Sequence, residues 1–240
     1  MRPASSPVRP AVRVAVASDH VLVAQAVVAA LGSHAFEPVL VRWPRSDPDQ
    51  GAKSPRRRAR RGSAGPPPDV GLLISDLSHM AQVRAASTVV HGLPVPWLVM
   101  SGADPGPAWG ALYDAGAKVV VPRELGLLEV CALLTDLSMG SKPAAARERR
   151  ELIRGWRTFA SRRSDLAARV QSLTEREDEI LRQLHQGLAV LEIAARSAVT
   201  ESTVRSQVKA ILRKLEVNSQ MAAVAAYEDL RTDSMLGNGR

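Results

Sequence analysis

The stretch DVGLLISDLS, residues 69–78, runs an apolar segment into a serine and then a carboxylate, Asp76. A carboxylate at the tip of a buried strand can accept a phosphoryl group when a cation neutralises the donor, or it can be the first polar residue of a loop. A second candidate lies at 201–215, ESTVRSQVKAILRKL. There Val204, Val208, Ile211, Leu212 and Leu215 recur on one helical face, while Arg205, Ser206, Lys209 and Arg213 fall on the other. Thr200 stands where an N-cap belongs. Near the amino end of such a helix, arginine can make a bidentate contact to guanine, and lysine reaches guanine or phosphate.

Other chemistries are poorly provided for. Cys131 is the sole cysteine, which excludes an internal disulfide and a cysteine metal cluster, and its segment GLLEVCALL reads as a packed helix face. The five histidines have no ligand spacing. No Ser/His/Asp or Cys/His arrangement is visible, and SDHVLVAQ offers no glycine to cradle a phosphate. An enzyme is not expected. The net charge of +8 is concentrated around residues 53–61 and 142–169, and beyond residue 172 acids and bases nearly cancel. Net charge therefore says little about a DNA site. No uncharged apolar run approaches the roughly 18 residues of a membrane span. Arg13, Asp19 and His20 interrupt the apolar N-terminal stretch, so a soluble cytoplasmic protein is expected.

These residues must be positioned by two kinds of architecture. Apolar runs at 12–18, 38–43, 71–75, 95–101 and 117–122 alternate with helical patterns, the last helix at 125–138. Such runs are strands buried on both faces, in an α/β doubly wound domain over 1–140 with its functional groups at the carboxyl ends of the strands. The segment 44–68 breaks the alternation with Pro, Gly, Ser and Arg and is expected to be a flexible insert. A basic linker, 141–172, has a helical centre with Leu152, Trp156 and Phe159 at helical spacing. These apolar residues suit packing or self-association. From 173 to 240 the pattern is all-α. Thr174 and Glu177 form a capping box, Ile180, Leu181 and Leu184 a stripe ended by Gly187, and Ile193, Ala194 and Ala195 a short, closely packed helix. With 201–215 this is a helix-turn-helix. Periodicity alone leaves an ordinary helical hairpin open.

The letters LTEREDEIL, then GL, then IA, then T.STV.SQVK.IL.KL.V, then A..A, make residues 173–227 similar to the C-terminal domain of the LuxR/NarL (FixJ) family of transcription regulators. The resemblance implies sequence-specific binding to double-stranded DNA, as a homodimer. Glu177 matches the family's structural glutamate and Gly187 its turn glycine. Thr203, Val204, Arg205 and Lys209 match the recognition-helix signature, with Arg205 and Lys209 facing DNA. Residues 219–230 match a fourth helix that often forms the dimer contact. Gln207 replaces a common histidine, Ser202 a common glycine, and Asn218, Ser219 and Gln220 stand where basic residues often follow.

The N-terminal half then resembles a CheY-like receiver of two-component systems. The family's first-strand acidic pair is here Ser18 and Asp19, Ser101 matches the switch hydroxyl, and Ala115-Gly116-Ala117 matches the turn before the fifth strand. The usual interval for the phosphoacceptor lands on Ile74, and a strand two residues longer would deliver Asp76. Arg123 stands in place of the family's lysine, after Pro122. Phosphoryl transfer needs Mg²⁺ with carboxylate ligands, and Ser18 removes one, leaving Asp19 and Asp76. The resemblance therefore implies a degenerate receiver, independent of phosphorylation, that serves as a dimerisation or ligand-responsive module and needs no cofactor. The alternatives are a conventional regulator phosphorylated at Asp76 by a sensor kinase with Mg²⁺, and, more remotely, a protein-interaction regulator that does not bind DNA.

Overall fold

The computed structural model describes residues 11–44, 66–141 and 146–231. Most of the expected insert, 45–65, lies outside the described residues. The first half forms five strands, β1 (Val12–Ser18), β2 (Phe36–Leu40), β3 (Val70–Ser75), β4 (Trp97–Ser101) and β5 (Val119–Pro122), in the order β2-β1-β3-β4-β5. Every pairing is parallel. The order reverses between β1 and β3, and the crevice beyond their carboxyl ends is where doubly wound sheets place their sites.

Helices α1 (Val21–Gly32), α2 (Met80–Gly92), α3 (Pro107–Ala115) and α4 (Leu127–Ser138) cover the sheet. Val14, Val16, Leu72, Leu98 and Met100 form one core with Leu31 of α1 and Val130, Leu134 and Leu137 of α4. Alternation turns Ala15, Ala17, Leu73, Trp97 and Val99 to the opposite face, where α2 and α3 bury Val83, Ala86, Val90, Ala111 and Leu112. Trp97 lies so close over Gly71 that a Cβ there would sit 2.3 Å from its ring. Cys131 packs half-buried against the first core, and burial pushes its thiol pKa up.

Several boundaries differ from the sequence reading. β2 occupies 36–40, not 38–43, because the turn after α1 is short: Ala35, at φ 61°, sends the chain straight into register, Val12 beside Phe36 and Val16 beside Leu40. β4 starts at 97 and β5 at 119, where pairing begins. α4 starts at 127 because the Gly126 amide donates to Glu129 Oε2 at 3.0 Å, closing the N-terminus there.

The second half is helical: α5 (Ala146–Gln171), α6 (Glu175–His185), α7 (Val190–Arg196), α8 (Glu201–Leu215) and α9 (Gln220–Arg231). The chain divides into two compact units, 1–156 and 157–240, with the division inside α5. In the first unit Gly110 of α3 admits α5 closely, since a Cβ there would lie 2.2 Å from the Leu152 carbonyl oxygen, and Arg149 sits over the Tyr113 ring. The second unit has its own core of Ile180, Leu181, Leu184, Ile193, Val204, Ile211, Leu215 and Tyr227. Ala195, expected to pack, is exposed instead, because the short helix turns Val190, Ile193 and Ala194 toward the core. No helix among the described residues is long and apolar enough to cross a membrane.

Candidate functional site

The exposed face of α8 is set by what holds its other face. Val204, Ile211 and Leu215 are at most 1% exposed, and Val208 and Leu212 pack half-buried against the same core. With that side fixed, Thr203, Arg205, Ser206, Lys209 and Arg213 are all solvent-exposed. Thr200 caps the helix, its hydroxyl accepting from the Thr203 amide at 3.2 Å. The turn from α7 passes through Ala198 at φ 52°. The Ala198 and Val199 amides donate back to the carbonyls of Ala195 and Ala194.

The far end of α8 is tied down by polar contacts that periodicity did not reveal. Lys214 Nζ donates to Glu177 Oε2 at 2.5 Å and to the Ser172 carbonyl at 3.3 Å. Glu177 also accepts from the Thr174 amide at 2.8 Å and hydroxyl at 3.0 Å, and the Thr174 hydroxyl accepts from the Glu177 amide, completing the expected capping box. From α5, Arg169 pairs with Glu216 at 2.7 Å and donates to the Leu215 carbonyl, while Arg163 donates to the carbonyls of Asp229 and Leu230 at the end of α9. Two arginines of the basic linker therefore satisfy helix C-termini. Only their position in space identifies that role, which no sequence spacing encodes.

In the first unit Asp76 is the residue directly after β3. The ladder sets Ser18 beside Ile74 and Ser75 beside Ser101, and Ile74 packs against the core. Leu77, fully buried at φ 53°, turns the chain immediately afterwards. Asp76 accepts from Arg123 Nη1 at 2.6 Å, with the side chains 43% and 57% exposed, and both crowd the space above Gly102. Two of the expected pocket residues are thus brought together. Asp19 is engaged elsewhere, its Oδ2 accepting from the Ser75 hydroxyl at 2.8 Å and the Gln82 amide at 2.9 Å. Ser18 accepts from the His20 amide, and the Ser101 hydroxyl bonds within its own loop to Ala103. Ser75 and Gln82 were not anticipated, and no spacing pointed to them.

A Mg²⁺ ion at this edge would draw on Asp19 and Asp76, whose existing bonds compete with it. One carboxylate oxygen on each aspartate already accepts strong donors, a hydroxyl stands at Ser18, and the described residues contain no group of three or more acids, histidines or cysteines placed for a metal. A near-octahedral oxygen shell would require those bonds to be replaced.

Residues 171–226 match the family described as "Bacterial regulatory proteins, luxR family". The nitrate/nitrite response regulator protein homolog of Haemophilus influenzae is 41% identical over 58 residues, 24% of this chain and 28% of that one. The probable transcriptional regulatory protein NarL of Mycobacterium tuberculosis is 29% identical over 223 residues, 92% of this chain and 95% of that one. Full-length FixJ from B. japonicum aligns over 92% of this chain and 97% of that one, with 18% identity and a TM-score of 0.36.

Proposed function

We propose, for a chain that belongs through residues 171–226 to the luxR family of DNA-binding transcription regulators, that it binds operators as a dimer and that its receiver-like unit works without phosphoryl transfer. It acts in the cytoplasm, as a regulator and not an enzyme. Recognition helix α8 enters the major groove with Thr203, Arg205, Ser206, Lys209 and Arg213 toward the DNA. Two copies set two such helices about one helical turn apart. The observation that carries this is the exposed polar line along α8 opposite the buried Val204, Ile211 and Leu215.

Arg205→Ala is expected to cost about 1 to 3 kcal/mol on a specific operator and to relax one base position. Lys209→Ala weakens binding and, where it contacts phosphate, lowers the salt slope by about one. Gel shifts across a salt series test both, and unchanged affinity in both variants removes the assignment. A salt-independent complex would favour a protein-interaction regulator instead.

Phosphorylation independence is supported by the bonds that occupy Asp19 and by Ser18 in place of an acid. In this reading a small ligand or the dimer contact itself carries the signal. The second reading, a regulator phosphorylated at Asp76 by a sensor kinase, is favoured by the direct and half-exposed Asp76–Arg123 contact at the strand end. Mass measurement after incubation with Mg²⁺ and a small phosphodonor separates them. No adduct is expected, and one that vanishes in Asp76→Asn establishes the second reading.

A further inference from the structure

The first turn of α8 carries the helix's one acid. Glu201 is its first residue, one turn before Arg205, at the end of the helix that also presents Thr203 and Ser206. Its Oε2 accepts from Arg205 Nη2 at 3.0 Å, with the two side chains 43% and 66% exposed. A solvent-facing pair one helical turn apart adds little to folding, and Thr200 already caps this end. Facing DNA, a carboxylate is repelled by every phosphate it approaches. As the first residue of α8, Glu201 also favours the helix N-terminus electrostatically, and its bond to Arg205 lets it act on which sequence is bound.

We propose that Glu201 is a specificity-determining residue that positions Arg205 and reads one G·C base pair together with it. The proposal rests on the DNA-binding reading of α8. A guanidinium has five N–H donors, and Glu201 occupies one on Nη2. The other Nη2 hydrogen and those of Nη1 still present the fork that matches O6 and N7 of guanine. Because the arginine is held before it meets DNA, less side-chain freedom is lost on binding. The carboxylate can accept from the N4 amino group of cytosine. Opposite the O4 of thymine or the O6 of guanine it meets an acceptor with no proton to share, and the wrong base is penalised.

Full-length wild type, Glu201→Ala, Glu201→Gln and Arg205→Ala are each used to select from a pool of randomised duplex DNA. Kd is then measured at fixed salt on the selected site, its single-base variants and an unrelated duplex. Wild type is expected to hold one G·C pair in each half-site. Both Glu201 variants should bind the unrelated duplex more tightly and lose discrimination at that pair by roughly tenfold. Arg205→Ala should lose preference at the same position. Glu201→Gln keeps the side chain's size, so a folding defect confined to the alanine variant does not blunt the test. Wild-type discrimination retained at every position by both Glu201 variants overturns the role of Glu201 alone. So does an affinity loss equal for all sequences. A wild type that enriches no sequence overturns the reading of α8 itself.

Discussion

A carboxylate at 5% exposure must be neutralised or well bonded, and Glu177 is bonded by Thr174 and Lys214 together. Burial alone pushes its pKa up. The hydrogen bonds from Lys214 and Thr174 and the charge of Lys214 outweigh that, leaving it below the ordinary 4.5. The folded chain thus holds this proton less tightly than the unfolded chain does. The stabilisation is present above the ordinary value and is lost as pH falls through the lowered one. Urea denaturation of wild type and Glu177→Gln at neutral pH and in the acid range should show that loss in wild type and a much smaller one in the variant. Glu177→Ala should cost about 2 to 3 kcal/mol at neutral pH, less than for a fully buried pair, because the Lys214 side chain is 29% exposed. Spacing made the capping box legible in the sequence, because it spans one turn. The lysine, 37 residues away, was not legible.

At the scale of elements, α8 formed over the range its pattern indicated, whereas β2 did not. A helix start and stop are local, set here by Thr200 and by Glu216 in the left-handed region at φ 56°. A strand's limits depend on a partner, and β2 takes its register from β1. The turn between α7 and α8 places Ala198 at φ 52°, where a Cβ is unfavourable. Ala198→Gly is expected to raise stability by up to about 1 kcal/mol, the relief of the turn being partly offset by the greater freedom of glycine in the unfolded chain. The midpoint of urea denaturation measures it, and a fall in midpoint counts against a strained turn. Operator affinity should stay at the wild-type value.

At the scale of the whole molecule, each compact unit has its own core. Calorimetry is expected to resolve two transitions. Glu177→Ala should lower one. Gly110→Ala should lower the other, by about 1 to 3 kcal/mol from overpacking, because its Cβ meets the Leu152 carbonyl. A single transition that both substitutions shift would show that the units unfold together. The charge distribution also has meaning at this scale. Arginines that look like a basic patch in sequence include Arg163 and Arg169, which complete the ends of α9 and α8.

The sequence by itself determined the alternation of apolar strands and helices, the two architectures, the extent of α8 and which of its faces is polar. All of these follow from periodicity and caps that act within a turn or two. Only the tertiary structure decided the partners of the buried and half-buried polar groups: Arg123 on Asp76, Ser75 and Gln82 on Asp19, Lys214 on Glu177. Those pairs join residues 37 to 63 positions apart, and nothing local dictates which donor reaches which carboxylate. The packing of strands and helices does.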